Sequence, residues 1–349
     1  MTDAPLADET EAQKAEAAMG GATSFRTRRW RLLEAVLLLG LVTALYGGLS
    51  AYWLVIVAQV CLYTVATMGL DILFGRTGQL SLSHASFFGL GAYVAALASA
   101  HGISYGLQLA IVLLIAVLAG AIVAVPTLRL SGMRLALVTL LFGQVLQWFL
   151  ITEVSITGGS EGMTVTPLSI AGFNTGEPHV AFVVSLALAL VATVVTAQLS
   201  RTQAGRRMLA VRDSELAASA CGIDLPRTKI QAFILAAIYA GFAGWLYAYV
   251  VGFVAPDTFS LFPSAYFLVA VILGGAGTVL GSWLGGAYIV LAPQLFAIAG
   301  QPNLFAILGG ALLIVVALLM PGGLAGGISA LQRRALSLQV RQPAGPNGR

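Results

Sequence analysis

The chain has 349 residues, 58% of them hydrophobic and 9% charged, with a net charge of +4 and a mean hydropathy of +0.91. A soluble domain carries about 25% charged residues, so this composition cannot make a water-facing surface and reads as a polytopic membrane protein. Its basic residues are spread over several loops, which excludes a nucleic-acid patch, and Cys61 and Cys221 lie too far apart in context to suggest a disulfide framework.

Residues 1–25 are polar, with Asp3, Asp8, Glu9, Glu11 and Glu16 against Lys14, and read as a disordered cytoplasmic tail. A signal peptide would put its basic region first; here Arg26, Arg28, Arg29 and Arg31 come later and hold the start of the first span in the cytoplasm. A crossing needs roughly 20 apolar residues. The chain then predicts spans at 32–49, 51–73, 85–100, 105–126, 134–152, 179–199, 230–252, 264–277, 279–299 and 303–320. Arg76, Arg129, Arg134, the 200–229 loop, Arg333, Arg334 and Arg341 fall on one side. The other side, near 101–104, 153–178, 253–263 and 300–302, has no Lys or Arg but holds Glu153, Glu161, Glu177 and Asp257. Ten spans with both termini cytoplasmic satisfy every loop under the positive-inside rule. The expected organisation is a transmembrane domain over 26–325 and a cytoplasmic tail over 326–349.

The predicted spans 85–100 and 264–277 are too short for a straight crossing, and each adjoins a Gly-rich break, at 75–79 and 274–277. Short, interrupted segments in the two halves of a transporter point to duplicated halves around a central pathway. Gly-Ala-Tyr recurs at 91–93 and 286–288, a match as short as chance supplies.

Between the first break and the short span lies a polar island, in which Gln79, Ser81 and Ser83 alternate with leucines and end at His84. Non-helical backbone at membrane depth must be buried in protein or line a cavity. Gln79 to His84 is thus either an entry into the interior offering neutral hydrogen bonds or a solvated turn in which a serine caps the next helix. On the opposite side, Thr157, Gly158 and Gly159 either shape an entrance or form a flexible turn. Asp71 and Arg76 either pair at the inner surface or are separately solvated.

The longest polar interruption is 200–229, with Arg201, Arg206, Arg207, Arg212, Arg227 and Lys229, a third of all Lys and Arg. Within it, Asp213 or Ser214 can cap a helix and Glu215 suits its positive end. An Ala-rich run to Cys221 follows, Gly222 can close the helix, and Pro226 stops its continuation. This predicts a helix of about two turns with Ala217 and Ala218 on its surface. It is either a handle for another protein or a loop whose charges fix topology.

Catalysis is not indicated. Neither lysine, Lys14 or Lys229, follows glycine, so no Walker A loop exists. His84, His101 and His179 are isolated, which gives no metal site and no cofactor site. Glu34, Asp71 and Glu153 sit at span edges, which argues against the mid-membrane carboxylates of a proton relay.

Five stretches in order, GLDILFGRTGQLSLSHASFFGLGAYVAAL (69–97), LRLSGMRLALVTLLFGQV (128–145), ITGGSEGM (156–163), RRMLAVRDSELAASACGIDLPRTKIQAFILAAIYAGFAGWLYAY (206–249) and LGGAGTVLGSWLGGAYIVL (273–291), resemble the permeases of branched-chain amino acid ABC importers. The resemblance covers about 30–325 and fits the larger permease type of such systems. It implies an all-α polytopic bundle in a bacterial inner membrane, embedded in lipid. It also implies ABC ATPase subunits, a related second permease and a periplasmic solute-binding protein as partners, with a small-molecule substrate and no nucleic acid. Arg212, Asp213, Ser214, Glu215, Ala217, Ala218 and Gly222 match the family's cytoplasmic segment that docks in the ATPase. The pathway candidates are Gln79, Ser81, Ser83, His84, Thr157, Gly158 and Gly159. Urea, short amides and other amino acids are carried within the family too, and a stand-alone carrier or channel is the alternative class.

Overall fold

Long apolar runs in this chain become helices because a helix satisfies its own backbone hydrogen bonds, which lipid cannot do. The computed structural model describes residues 48–128, 130, 132–170, 173–298, 300 and 323–327. The expected acidic tail, the Arg26–Arg31 cluster, nearly all of the first span, the span at 303–320 and nearly all of the 326–349 tail lie outside the described residues. The chain divides into a unit at 1–54 and a larger one at 55–349.

Helix α1 (Ala51–Leu70) runs into a π-helical turn at Asp71–Gly75. After a non-helical stretch come α2 (His84–Ala100), α3 (Tyr105–Thr127) and α4 (Met133–Thr152). The short α5 (Val154–Thr157) leads into β1 (Met163–Thr164), β2 (Ser169–Ile170) and β3 (Phe173–Asn174). Helix α6 (Pro178–Leu199) is followed by α7 (Gln203–Asp213), α8 (Glu215–Ala220) and α9 (Leu225–Val251). Strand β4 (Phe253–Val254) pairs antiparallel with β1, and α10 (Leu261–Gly274) and α11 (Val279–Ile298) follow, with a further helical segment at 323–327. The fold is an all-α polytopic bundle with two-residue strand pairs in its connections.

Six stretches among the described residues are long and apolar enough to cross a membrane: Ala51–Gly75, Tyr105–Pro126, Met133–Thr152, Pro178–Leu199, Leu225–Val251 and Val279–Ile298. The two spans expected to be short are short, at His84–Ala100 and Leu261–Gly274. The bounds of α9 and α10 differ from expectation, α9 starting at Leu225 and α10 running Leu261–Gly274. Asp224 accepts from the Arg227 N–H at 3.0 Å and caps α9, so Pro226 opens that helix rather than merely ending the one before, and Lys229 lies within it. Helix α10 ends at Gly274, leaving Gly275 and Gly277 in left-handed backbone outside it.

Helix α2 is buried on nearly every side, as expected for an element that is small and apolar all round. Its closest neighbour is α9, and glycines permit the approach. A Cβ on Gly91 would collide with the Gly241 carbonyl, and one on Gly244 with the Phe88 carbonyl. Above this crossing an aromatic cluster ties four helices together: Tyr63 of α1 stacks with both Phe88 of α2 and Phe267 of α10, with centroids 5.5 Å apart, and Tyr247 of α9 meets Tyr63 and Phe88. By contrast, α3, α4 and α6 turn Leu118, Ile122, Leu141, Val145, Trp148, Val191 and Val194 outward, as lipid-facing helices do.

Candidate functional site

The polar island climbs into the interior. Ser81, Ser83 and His84 are fully buried and Gln79 is 5% exposed. The Leu82 N–H donates to Thr139 Oγ1 of α4 at 2.9 Å, and the Ala85 N–H to Ser264 Oγ of α10 at 3.1 Å. Ser83 occupies the N-cap position of α2 without a side-chain capping bond, its hydroxyl facing that of Ser81 at 3.2 Å. The solvated-turn alternative therefore does not hold. His84 Nε2 lies 2.7 Å from the Ala66 carbonyl, which can only accept, so the ring donates there and turns Nδ1 away as an acceptor. Nδ1 and both ends of the Gln79 amide are buried without a hydrogen-bond partner among the described residues. Such groups are costly to keep, and they are the polar atoms of this island that remain free for another molecule.

On the other side, Thr157 is committed to its own turn. Its hydroxyl donates toward the Leu150 and Glu153 carbonyls, at 2.6 and 2.8 Å, and accepts from the Gly159 N–H at 3.2 Å. Gly158 and Gly159 take positive φ, 72° and 57°, and a Cβ on Gly158 would meet the Gly162 carbonyl. These three residues build a tight corner rather than offering free polar atoms.

Segment 200–229 holds two whole helices and the first turn of α9 where one helix was expected. Thr202 caps α7 by accepting from the Gly205 N–H at 3.2 Å, a signal the sequence did carry. Met208 and Val211 fix α7 against the bundle. Ser214 caps α8 in the same way, accepting from the Ala217 N–H at 3.2 Å, and Gly222 closes the turn with φ 77°. Ala217 is on the surface as expected, but Ala218 is 3% exposed and faces inward. The outer face of α8 is carried by Leu216, which is 82% exposed beside Asp213, Glu215 and Ala217. Glu215 also reaches back to Lys229 of α9 at 2.8 Å, which tethers α8 to the membrane helix. Arg212 points toward the bundle, donating to the Gly75 carbonyl.

Asp71 and Arg76 are both buried, so separate solvation is ruled out. Their closest approach is 3.8 Å, and each has a nearer partner: Asp71 Oδ1 accepts from the Gly277 N–H at 2.6 Å, and Arg76 donates to Ser200 Oγ. The described residues thus hold an exposed leucine on α8, a buried polar stretch before α2 and Gly-rich breaks after α1 and α10.

Residues 52–317 match the family described as "Branched-chain amino acid transport system / permease component". The chain belongs to this family. It is 31% identical over 288 residues, 75% of its own length and 67% of the relative's, to the high-affinity branched-chain amino acid transport system permease protein LivM of Escherichia coli K12. LivM is the larger permease type of that system. The permease is also 25% identical over 281 residues, 76% of its length and 91% of the relative's, to the corresponding protein LivH of Salmonella typhimurium LT2. It is 29% identical over 286 residues, 78% of its length and 79% of the relative's, to the autoinducer 2 import system permease protein LsrC of Enterobacter sp. strain 638. No solved structure matches it. The permease is a multi-pass membrane transport component.

Proposed function

We propose that this permease carries branched-chain amino acids across the bacterial inner membrane as one subunit of an ATP-binding cassette importer, with both termini in the cytoplasm. The observation that carries the substrate is its 31% identity to LivM across three quarters of the chain. ATP is hydrolysed by partner ATPases, because no nucleotide loop exists in this polypeptide. A periplasmic binding protein delivers solute to the Lys/Arg-free side, and a related permease completes the pathway.

The buried, unpartnered Gln79 amide and His84 Nδ1 support a pathway that offers neutral hydrogen bonds, which suits a zwitterion passing without a fixed counter-charge. Asp213, Glu215, Leu216 and Ala217 form the face that meets the ATPase. Its exposed leucine fits an apolar groove, and its closely held helix moves as a body with the membrane helices.

The test is uptake of radiolabelled leucine into proteoliposomes carrying the permease pair, the ATPases and the binding protein. Uptake should require ATP and every partner. Flux by the single chain without ATP would instead establish a stand-alone carrier. Import of autoinducer 2, urea or short amides with no leucine uptake would move the substrate while leaving the importer reading in place.

A further inference from the structure

Three segments distant in sequence meet beneath α1. The first is the π-helical turn Asp71–Gly75 with its following break. The second is the break at Gly275–Gly277 after α10. The third is the last turn of α7, which carries Arg212 immediately before α8.

Two side chains join them. Asp71 Oδ1 accepts from the Gly277 N–H at 2.6 Å, which fastens the first break to the second. Arg212 Nη1 donates to the Gly75 carbonyl, one of the acceptors left open where the helical ladder ends. The packing is tightest at Gly75 and looser around the exposed Arg212 side chain. A Cβ on Gly277 would lie 3.1 Å from Arg212 Nη1 and 3.2 Å from the Gly75 oxygen, and one on Gly78 would lie 3.5 Å from Arg212 Cγ. A Cβ on Gly75 would strike both Asp71 and the Gly277 nitrogen. Arg76 adds a further strand of the same knot by donating to Ser200 at the end of α6.

We propose that Arg212 and Asp71 are positioning residues that transmit movement of α7 and α8 to the inner ends of α1 and α10 together. This rests on the assignment of α8 as the ATPase-facing helix. A push on α8 reaches Gly75 through Arg212, and Gly277 through Asp71, so the two breaks change as one element. Closely packed junctions of this kind switch between discrete arrangements rather than deforming gradually.

The experiment uses the assembled importer in proteoliposomes and reads two quantities: ATPase subunits retained per permease, and leucine imported per ATP hydrolysed. Arg212→Gln should retain its ATPases while import per ATP falls about tenfold, the equilibrium equivalent of one hydrogen bond from a charged donor. Arg212→Lys, which keeps the charge, should recover part of the loss. Asp71→Ala, which removes the acceptor for the Gly277 N–H, should lower the same ratio, and the double variant should fall no further than the worse single one, since both lie on one route. An unchanged ratio in Arg212→Gln would overturn the proposal, as would additive losses. Loss of ATPase subunits from the Arg212→Gln complex would place this arginine at the docking face and overturn it as well. Leucine import by the unsubstituted chain without any ATPase is the separate result that removes the assignment of α8, and the transmission role with it.

Discussion

Gly244→Ala tests whether the α2–α9 crossing is set by backbone contact. The added methyl would stand 2.7 Å from the Phe88 carbonyl carbon and nearer still to its oxygen. Carbon atoms pack at about 3.5–4.0 Å, so the two helices have to part by roughly 1 Å. Both colliding groups are main chain and cannot rotate aside, which puts the cost near the upper end of overpacking, about 3 kcal/mol. Alanine returns up to about 1 kcal/mol through helix propensity, leaving a net loss of about 2 kcal/mol. Gly91→Ala makes the reciprocal collision with the Gly241 carbonyl, and its cost is similar. Because one separation relieves both, the double variant should lose less than the sum. Gly106→Ala, in the first turn of α3 with nothing within 4 Å of its Cβ, is the control and should be neutral or slightly stabilising. Thermal unfolding of the detergent-solubilised permease, followed by size-exclusion of the surviving fraction, gives the ranking. Gly244→Ala with the stability of Gly106→Ala would refute the reasoning.

Gln79→Leu removes a buried amide that has no partner among the described residues, so it should leave thermal stability intact or raise it by about 1–3 kcal/mol, while leucine uptake falls. Unfolding and uptake moving down together would mean the amide is structural. Gln108→Leu should do the reverse of a silent change: its Oε1 accepts from Tyr249 at 2.6 Å and Trp245 at 3.0 Å, and its Nε2 donates to the Ile103 carbonyl at 2.8 Å, so about 2–3 kcal/mol should be lost on unfolding. Adding Tyr249→Phe should recover only a small part of that loss, since without Gln108 the hydroxyl keeps just a long 3.5 Å bond to the Ala95 carbonyl. Leu216→Asp on the exposed face of α8 should leave membrane insertion unchanged, and co-purification of the ATPase subunits should drop at least about tenfold, as expected when an apolar anchor is removed.

Composition and run length were enough to place the membrane class and the interior spans, because lipid permits few alternatives to a long apolar helix. Glycines at 75–79 and 274–277 marked the two short spans for a similar reason: they interrupt a helix through local backbone freedom. Caps are local too, and Ser214 and Gly222 do at α8 what their residue types imply. The helix α7 was legible in the same terms, through Thr202 and a polar run with Met208 and Val211 on one side, yet the charges around it read as loop.

The destination of each polar side chain belongs to tertiary structure. Asp71 finds its acceptor role with an N–H 206 residues away, and Arg212 its carbonyl 137 residues away. Nothing near either residue in the chain names those partners. Whether Gln79 to His84 meets water or protein likewise depended on α4 and α10 supplying Thr139 and Ser264, and the inward turn of Ala218 depended on α8 lying against its neighbours. Periodicity and propensity act over a few residues and decide what becomes helix; burial and hydrogen-bond satisfaction are settled by elements that meet only after the chain has packed.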